Sequence, residues 1–96
     1  MATMNATDTR TRALTLTVRY FAAARAAAGT EQETVELPAG ATVADLVATV
    51  QARHDPEFAQ VLLRCSYLLD EVAVRDTSQE VADGAALDVL PPFAGG

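Results

Sequence analysis

Few side chains in this 96-residue sequence could do chemistry, and they lie far apart. The single histidine, His54, closes a run of helical spacing, where an imidazole favours the helix dipole and needs no catalytic task. The single cysteine, Cys65, opens a β-rich run and reads as a small buried hydrophobe with no neighbour in sequence to lower its thiol pKa. Asp70 and Glu71 fall in a turn between two apolar runs, an ordinary place for carboxylates rather than an acid–base pair. One histidine with one cysteine cannot fill a typical zinc site, and a lone cysteine excludes an internal disulfide. What remains is the stretch "LPPFAGG" at 90–96, whose last residue brings a carboxylate and no side chain.

A carboxylate is a poor electrophile, but once joined to AMP it is an acyl donor that a sulfur nucleophile can attack. Another protein must supply the catalytic groups for that step. Pro91 and Pro92 donate no ladder hydrogen bonds and favour an extended polyproline course leading away from a sheet. Residues 92–96 are therefore expected as a solvent-exposed extension, reaching on the order of 15 Å at about 3.3 Å per residue. Gly95 and Gly96 have no side chain to obstruct a narrow channel.

The elements that must carry this tail are legible in the pattern. "ALTLTVRYF" at 13–21 alternates, with Leu14, Leu16, Val18 and Tyr20 on one face and Thr15, Thr17, Arg19 and Phe21 on the other. "AAARAAAG" supplies a short helix closed by Gly29, and "ETVELPAG" a second strand broken by Pro38 and Gly40, pairing with the first as a hairpin. Thr42 and Asp45 form a capping pair ahead of Val43, Leu46, Val47 and Val50, which predict a helix reaching about His54. Asp55 is placed to cap a second short helix with Pro56 at its first position, packed beside the first. "CSYLL", "VAVRD" and "AALDVL" are β-rich, the last two separated by the turn "ADG". The expected order is β-β-α-β-β, a two-layer α+β domain over residues 13–91 with one main helix on a mixed sheet of four or five strands.

Phe21 and Leu90 break the in–out pattern at the ends of the first and last strands. If these strands lie side by side and parallel, Phe21, Leu90 and the start of the tail form one exposed apolar patch suited to docking.

Composition narrows the partners. A chain this short buries about 60–65% of its unfolded surface and has little room for a deep active site. Seven arginines, no lysine and 13 acidic residues give a net charge of −6, which disfavours nucleic acid and suits a partner with a basic docking surface. No apolar run approaches the roughly 20 residues that span a bilayer, and residues 1–12 read as a disordered leader without a secretory pattern, so the expected location is cytoplasmic.

Four stretches, "VRYFAAARAAAG" at 18–29, "VELPAGATVADL" at 35–46, "DG" at 83–84 and "LPPFAGG" at 90–96, together resemble the MoaD/ThiS family of ubiquitin-like sulfur carriers, and within it the small subunits of molybdopterin synthases. The resemblance covers about residues 14–96 and implies a β-grasp fold. It implies that Gly96, with Gly95 before it, is the reacting end: adenylated by a ubiquitin-activating-type adenylyltransferase that uses ATP, then converted to a thiocarboxylate with sulfur from a persulfide donor. The tail would enter the active site of a molybdopterin synthase large subunit and give sulfur to cyclic pyranopterin monophosphate in molybdenum cofactor biosynthesis. The chain would then act as the sulfur-donating subunit of a sulfurtransferase, with no catalytic side chain, no metal and no permanently bound cofactor of its own. Phe21, Arg25, Leu90, Pro91, Pro92, Phe93 and Ala94 map to partner-binding positions. Two features depart from the family pattern: the absence of lysine, which rules out self-conjugation through lysine, and Leu69-Asp70-Glu71 where many relatives have a valine-asparagine turn. The alternatives are a carrier for thiazole or cysteine synthesis, and a ubiquitin-like modifier joined to lysines of other proteins.

Overall fold

The alternation at the start of the domain produces β1 (Leu14–Tyr20), whose Leu16, Val18 and Tyr20 are almost fully buried while Thr15 and Arg19 face the other way. The computed structural model describes residues 13–92; the expected leader at 1–12 and the tail residues Phe93, Ala94, Gly95 and Gly96 lie outside the described residues.

After β1 the chain turns into α1 (Ala22–Ala28), which ends where Gly29 takes the left-handed conformation at φ 76° and returns its N–H to the Arg25 carbonyl. β2 (Gln32–Leu37) runs back antiparallel to β1, with Val35 opposite Leu16. α2 (Val43–Arg53) opens with the expected capping box: Thr42 Oγ1 accepts from the Asp45 N–H, and Asp45 Oδ2 accepts from the Thr42 N–H. Two further N–H groups of its first turn, at Val43 and Ala44, donate to the carbonyls of Gln79 and Thr77, so the long loop before the last strand completes the cap.

α3 (Pro56–Leu62) begins at proline as expected, but Asp55 makes no side-chain cap hydrogen bond. The helix packs against α1 rather than lying alongside α2, because Phe58 and Leu62 point into the core on that side. The sheet finishes with β3 (Ser66–Leu69), β4 (Val72–Ala73) and β5 (Ala86–Leu90), which makes five strands, within the expected four or five. "VAVRD" gives a strand only at its first two residues.

Strand order is β2-β1-β5-β3-β4, with β1 and β5 parallel at the centre and the other pairs antiparallel. Leu46 and Val50 of α2, Phe58 of α3 and Ala24 of α1 close over the inner face formed by Leu16, Val18, Tyr20, Val35, Leu87 and Val89. Truncating a ring as deeply placed as Phe58 costs about 3–5 kcal/mol in comparable cores.

Three devices tie down the periphery. Asp70 and Glu71 form a two-residue turn with φ of 48° and 72°, the pairing of signs that matches strand twist in a hairpin. Asp70 also fastens this turn to β5, accepting from the Ala86 N–H through Oδ1 and donating its own N–H to the Ala86 carbonyl. On the free side of β2, Thr30 Oγ1 donates to the Gln32 carbonyl and Arg53 Nη1 donates to the Thr34 carbonyl.

Candidate docking face and tail exit

The exit of the tail is fixed by the parallel pair at the centre of the sheet. Tyr20 stands beside Val89, and the Phe21 N–H donates to the Val89 carbonyl at 3.2 Å, so the pairing continues one residue past β1. Phe21 therefore comes beside Leu90, and both lie on the outer face, away from the helices, because Tyr20 and Val89 point inward. Each is half-buried rather than exposed, so the patch sits lower in the surface than the sequence pattern implied.

Immediately after Phe21, Ala22 holds φ 50°, a left-handed conformation that costs a residue with a Cβ roughly 1–2 kcal/mol. That strain swings the chain from β1 into α1 within one residue and leaves Phe21 at the strand's end. Arg25 is exposed on α1, on the helix side of the exit.

Pro91 is buried at the end of β5, and Pro92 is exposed. Pro91 and Pro92 form one end of an open groove of about 340 Å³ between α1 and α3, with Ala23, Gln60, Val61 and Arg64 along it. Phe93, Ala94, Gly95 and Gly96 continue from here and lie outside the described residues.

Around Phe21 and Leu90 the outer face carries two residues that the sequence reading missed as a unit. Arg19 and Asp88 are register partners, and the guanidinium grips the carboxylate with two hydrogen bonds. The hydrogen bond and charge of Asp88 raise the Arg19 pKa above its ordinary value. Leu68, opposite Asp88 on β3 and half-buried, adds a third apolar side chain to this face. Its signal was available in principle, since Leu68 and Leu69 are adjacent and only one of two neighbours in a strand can face the core. Elsewhere on the surface, Leu63 and Val72 are the large apolar residues most exposed among those described, at 78% and 67%.

The chemistry-bearing side chains are not brought to this exit. His54 is the C-cap of α2 and half-buried, its Nε2 in hydrogen-bond contact with Glu33 Oε2 while its ring lies 4.6 Å from that of Phe58. Glu33 also accepts from the Tyr20 hydroxyl at 2.6 Å and from Arg53 Nη1 at 3.0 Å. Partial burial alone would push the Glu33 carboxyl up, but the hydrogen bonds from Tyr20, His54 and Arg53 outweigh it and hold the group below its usual range. Burial, reinforced by the bond to Glu33, pushes the Tyr20 phenol well above its ordinary value. This network clamps β1, β2 and the end of α2 together and faces no cleft at the tail.

Cys65 is half-buried just before β3, its thiol directed at the Val61 carbonyl at 3.3 Å and its pKa pushed up by burial, which makes it a poor nucleophile. Among the described residues, no group of three or more histidine, cysteine, aspartate or glutamate side chains is placed to hold a metal ion, and no helix is long and apolar enough to cross a membrane.

A mixed five-stranded sheet covered on one face by helices, with the last strand leaving beside the first, defines a protein of the β-grasp, ubiquitin-like class. The chain belongs to the ThiS family, whose model matches residues 18–96. A molybdopterin synthase sulfur carrier subunit from Chlamydomonas reinhardtii is 38% identical over 80 residues, covering 82% of this chain and 95% of the relative. Among solved structures, a molybdopterin converting factor subunit 1 from Pyrococcus furiosus superposes with a TM-score of 0.75 at 30% identity, covering 83% of this chain and 99% of that one. The complex of subunits 1 and 2 of the molybdopterin-converting factor from Helicobacter pylori matches in fold with a TM-score of 0.66 at 22% identity, over 86% of this chain and the whole of the matched chain.

Proposed function

We propose that this protein is the sulfur carrier subunit of a molybdopterin synthase. The observation that carries the reading is the parallel pairing of β1 and β5: it sets Phe21 beside Leu90 at the point where Pro91 and Pro92 release the chain toward Gly95 and Gly96. The family match through Gly96 and the likeness to the algal and archaeal proteins support it.

In this reading the domain contributes recognition and the tail contributes chemistry. The outer face carrying Phe21, Leu90 and Leu68 docks on the synthase large subunit, and residues 92–96 extend into that partner's active site. Before docking, a Gly96 carboxylate oxygen attacks the α-phosphorus of ATP on an adenylyltransferase and pyrophosphate leaves. The terminal sulfur of a persulfide donor then displaces AMP, and a thiol cleaves the S–S bond of the resulting acyl disulfide, which leaves Gly96 as a thiocarboxylate and the donor's remaining sulfur in a disulfide with that thiol. The thiocarboxylate gives its sulfur to cyclic pyranopterin monophosphate, and water restores the carboxylate. The described side chains fit a passive donor, since His54 and Cys65 are committed elsewhere in the fold.

Incubation with the activating enzyme, ATP and a sulfur donor tests the reading. The intact mass is expected to rise by the difference between sulfur and oxygen, and the product to support molybdopterin formation with a large subunit. An unchanged mass, or a thiocarboxylate that only a thiazole- or cysteine-forming system consumes, overturns it.

A further inference from the structure

α2 has two sides. Leu46 and Val50 face the core, while Asp45, Ala48, Ala52 and Arg53 line an open groove of about 680 Å³ on the flank of the domain. Leu37 at the end of β2, with Pro38 and Ala41 after it, forms the opposite wall. Thr49 also lines the groove, and its hydroxyl donates to the Asp45 carbonyl at 2.8 Å, so its donor is spent inside the helix. With only alanine and threonine along the middle of this stretch, a second helix can approach to about 8 Å between axes. The two ends of the stretch carry opposite charge: Asp45 stands in the first turn of α2 and Arg53 in the last, both exposed and about 12 Å apart along the axis. Asp45 uses Oδ2 in the capping box, and Arg53 uses Nη1 on Glu33 and the Thr34 carbonyl. Their other polar tips, Oδ1 and Nη2, make no hydrogen bond among the described residues.

We propose that this groove is the contact between two copies of this chain, with the two α2 helices packed antiparallel and a pair of Asp45–Arg53 ion pairs closing its ends. The charge pattern is what selects a second copy. A two-fold axis beside Thr49 sets each Asp45 opposite the other copy's Arg53, so one stretch of surface is complementary to itself. Each copy carries a net charge of −6, which opposes association. At about 0.15 M salt that repulsion fades over about 8 Å, whereas the two pairs are in contact. None of the groove residues belongs to the outer face with Phe21 and Leu90 or to the exit at Pro92, so both stay clear in the dimer. The contact does not depend on what group the terminus carries, and so stands apart from the sulfur-carrier reading.

The test is sedimentation velocity on the full-length protein without partners, from micromolar to millimolar concentration at physiological salt. A concentration-dependent rise toward the mass of a dimer is expected. Ala48→Arg, which fills the groove from an exposed helical position, should keep its fold and stay monomeric throughout. Asp45→Arg and Arg53→Asp should each weaken self-association about tenfold or more, since like charges then face each other across both pairs. Mixed together, these two variants should associate again, because the mixture restores opposite charges at both ends. A wild-type chain that stays monomeric at millimolar concentration overturns the proposal. So does a dimer that Ala48→Arg leaves unchanged, or a mixture of the charge variants that associates no better than either alone. Where loss of the capping carboxylate unfolds Asp45→Arg, the concentration series of the wild type against Ala48→Arg decides the matter.

Discussion

Arg19 and Asp88 stand abreast on the two central strands, joined by Nε to Oδ1 at 2.5 Å and Nη2 to Oδ2 at 3.1 Å. The aspartate side chain is only 10% exposed while the arginine keeps 39%, so a partner meets a guanidinium whose charge is already answered. The centre of the proposed docking face is thus electrically quiet in spite of the chain's net charge of −6. Asp88→Asn is expected to lower the Tm and to make large-subunit binding more salt-dependent, because Arg19 would then present an uncompensated charge. Arg19→Lys should not restore the wild-type melt, since an ammonium cannot make the two-pronged contact. Thermal unfolding and binding titrations at two ionic strengths check both outcomes.

Phe21 carries a second expectation. Its ring is half-buried at the end of β1 and supports little of the core. Phe21→Ala should leave the fold intact and weaken large-subunit binding about tenfold or more, the usual cost of truncating an aromatic anchor. Calorimetry against the large subunit reads this directly. An unaltered Kd would remove Phe21 from the docking face.

The Glu33 network sets the response to pH. Its carboxyl titrates lower in the folded chain than in the unfolded one, so its contribution is intact above the ordinary carboxylate pKa of about 4.3 and is lost as pH falls through the lower, folded value. Tyr20 is the opposite case: its phenol is raised, so its contribution is intact below about 10 and is lost as pH climbs through the higher, folded value. Tm plotted against pH should show a plateau between these limits. Glu33→Gln is expected to flatten the acid limb and Tyr20→Phe the alkaline one, the latter at a cost of about 1 kcal/mol near neutrality.

The β3–β4 turn offers a gain rather than a loss. Glu71 holds φ 72° with a full side chain, a conformation that suits glycine. Glu71→Gly should raise stability by about 0.5–1 kcal/mol, measured by chemical denaturation. Asp70→Gly should not help in the same way, because it removes the carboxylate that accepts from the Ala86 N–H.

Local signals in the sequence were faithful where one element decides the outcome. The alternation through Tyr20, the Thr42–Asp45 box and Gly29 each produced the element they specify. The meeting of Phe21 with Leu90 followed from two strand ends and one assumption about their pairing, which holds. What stayed hidden depends on register between distant segments. His54 and Glu33 are 21 positions apart, and Arg19 and Asp88 are 69 apart; nothing local marks them as partners.

The two carbonyl caps on β2 bear on how this molecule can meet others. The Tyr20 N–H bonds the Glu31 carbonyl, so Gln32, Thr34 and Glu36 turn their main-chain groups away from β1, toward the open side. Two of those three carbonyls are already taken, by Thr30 and Arg53. At the opposite border β4 is two residues long, too short to template a neighbour. Growth of the sheet by an added strand, from a partner or from another copy, is therefore discouraged on both flanks. On the proposed carrier reading, partners are then left to recognise this domain by its faces, through side chains rather than through main-chain pairing.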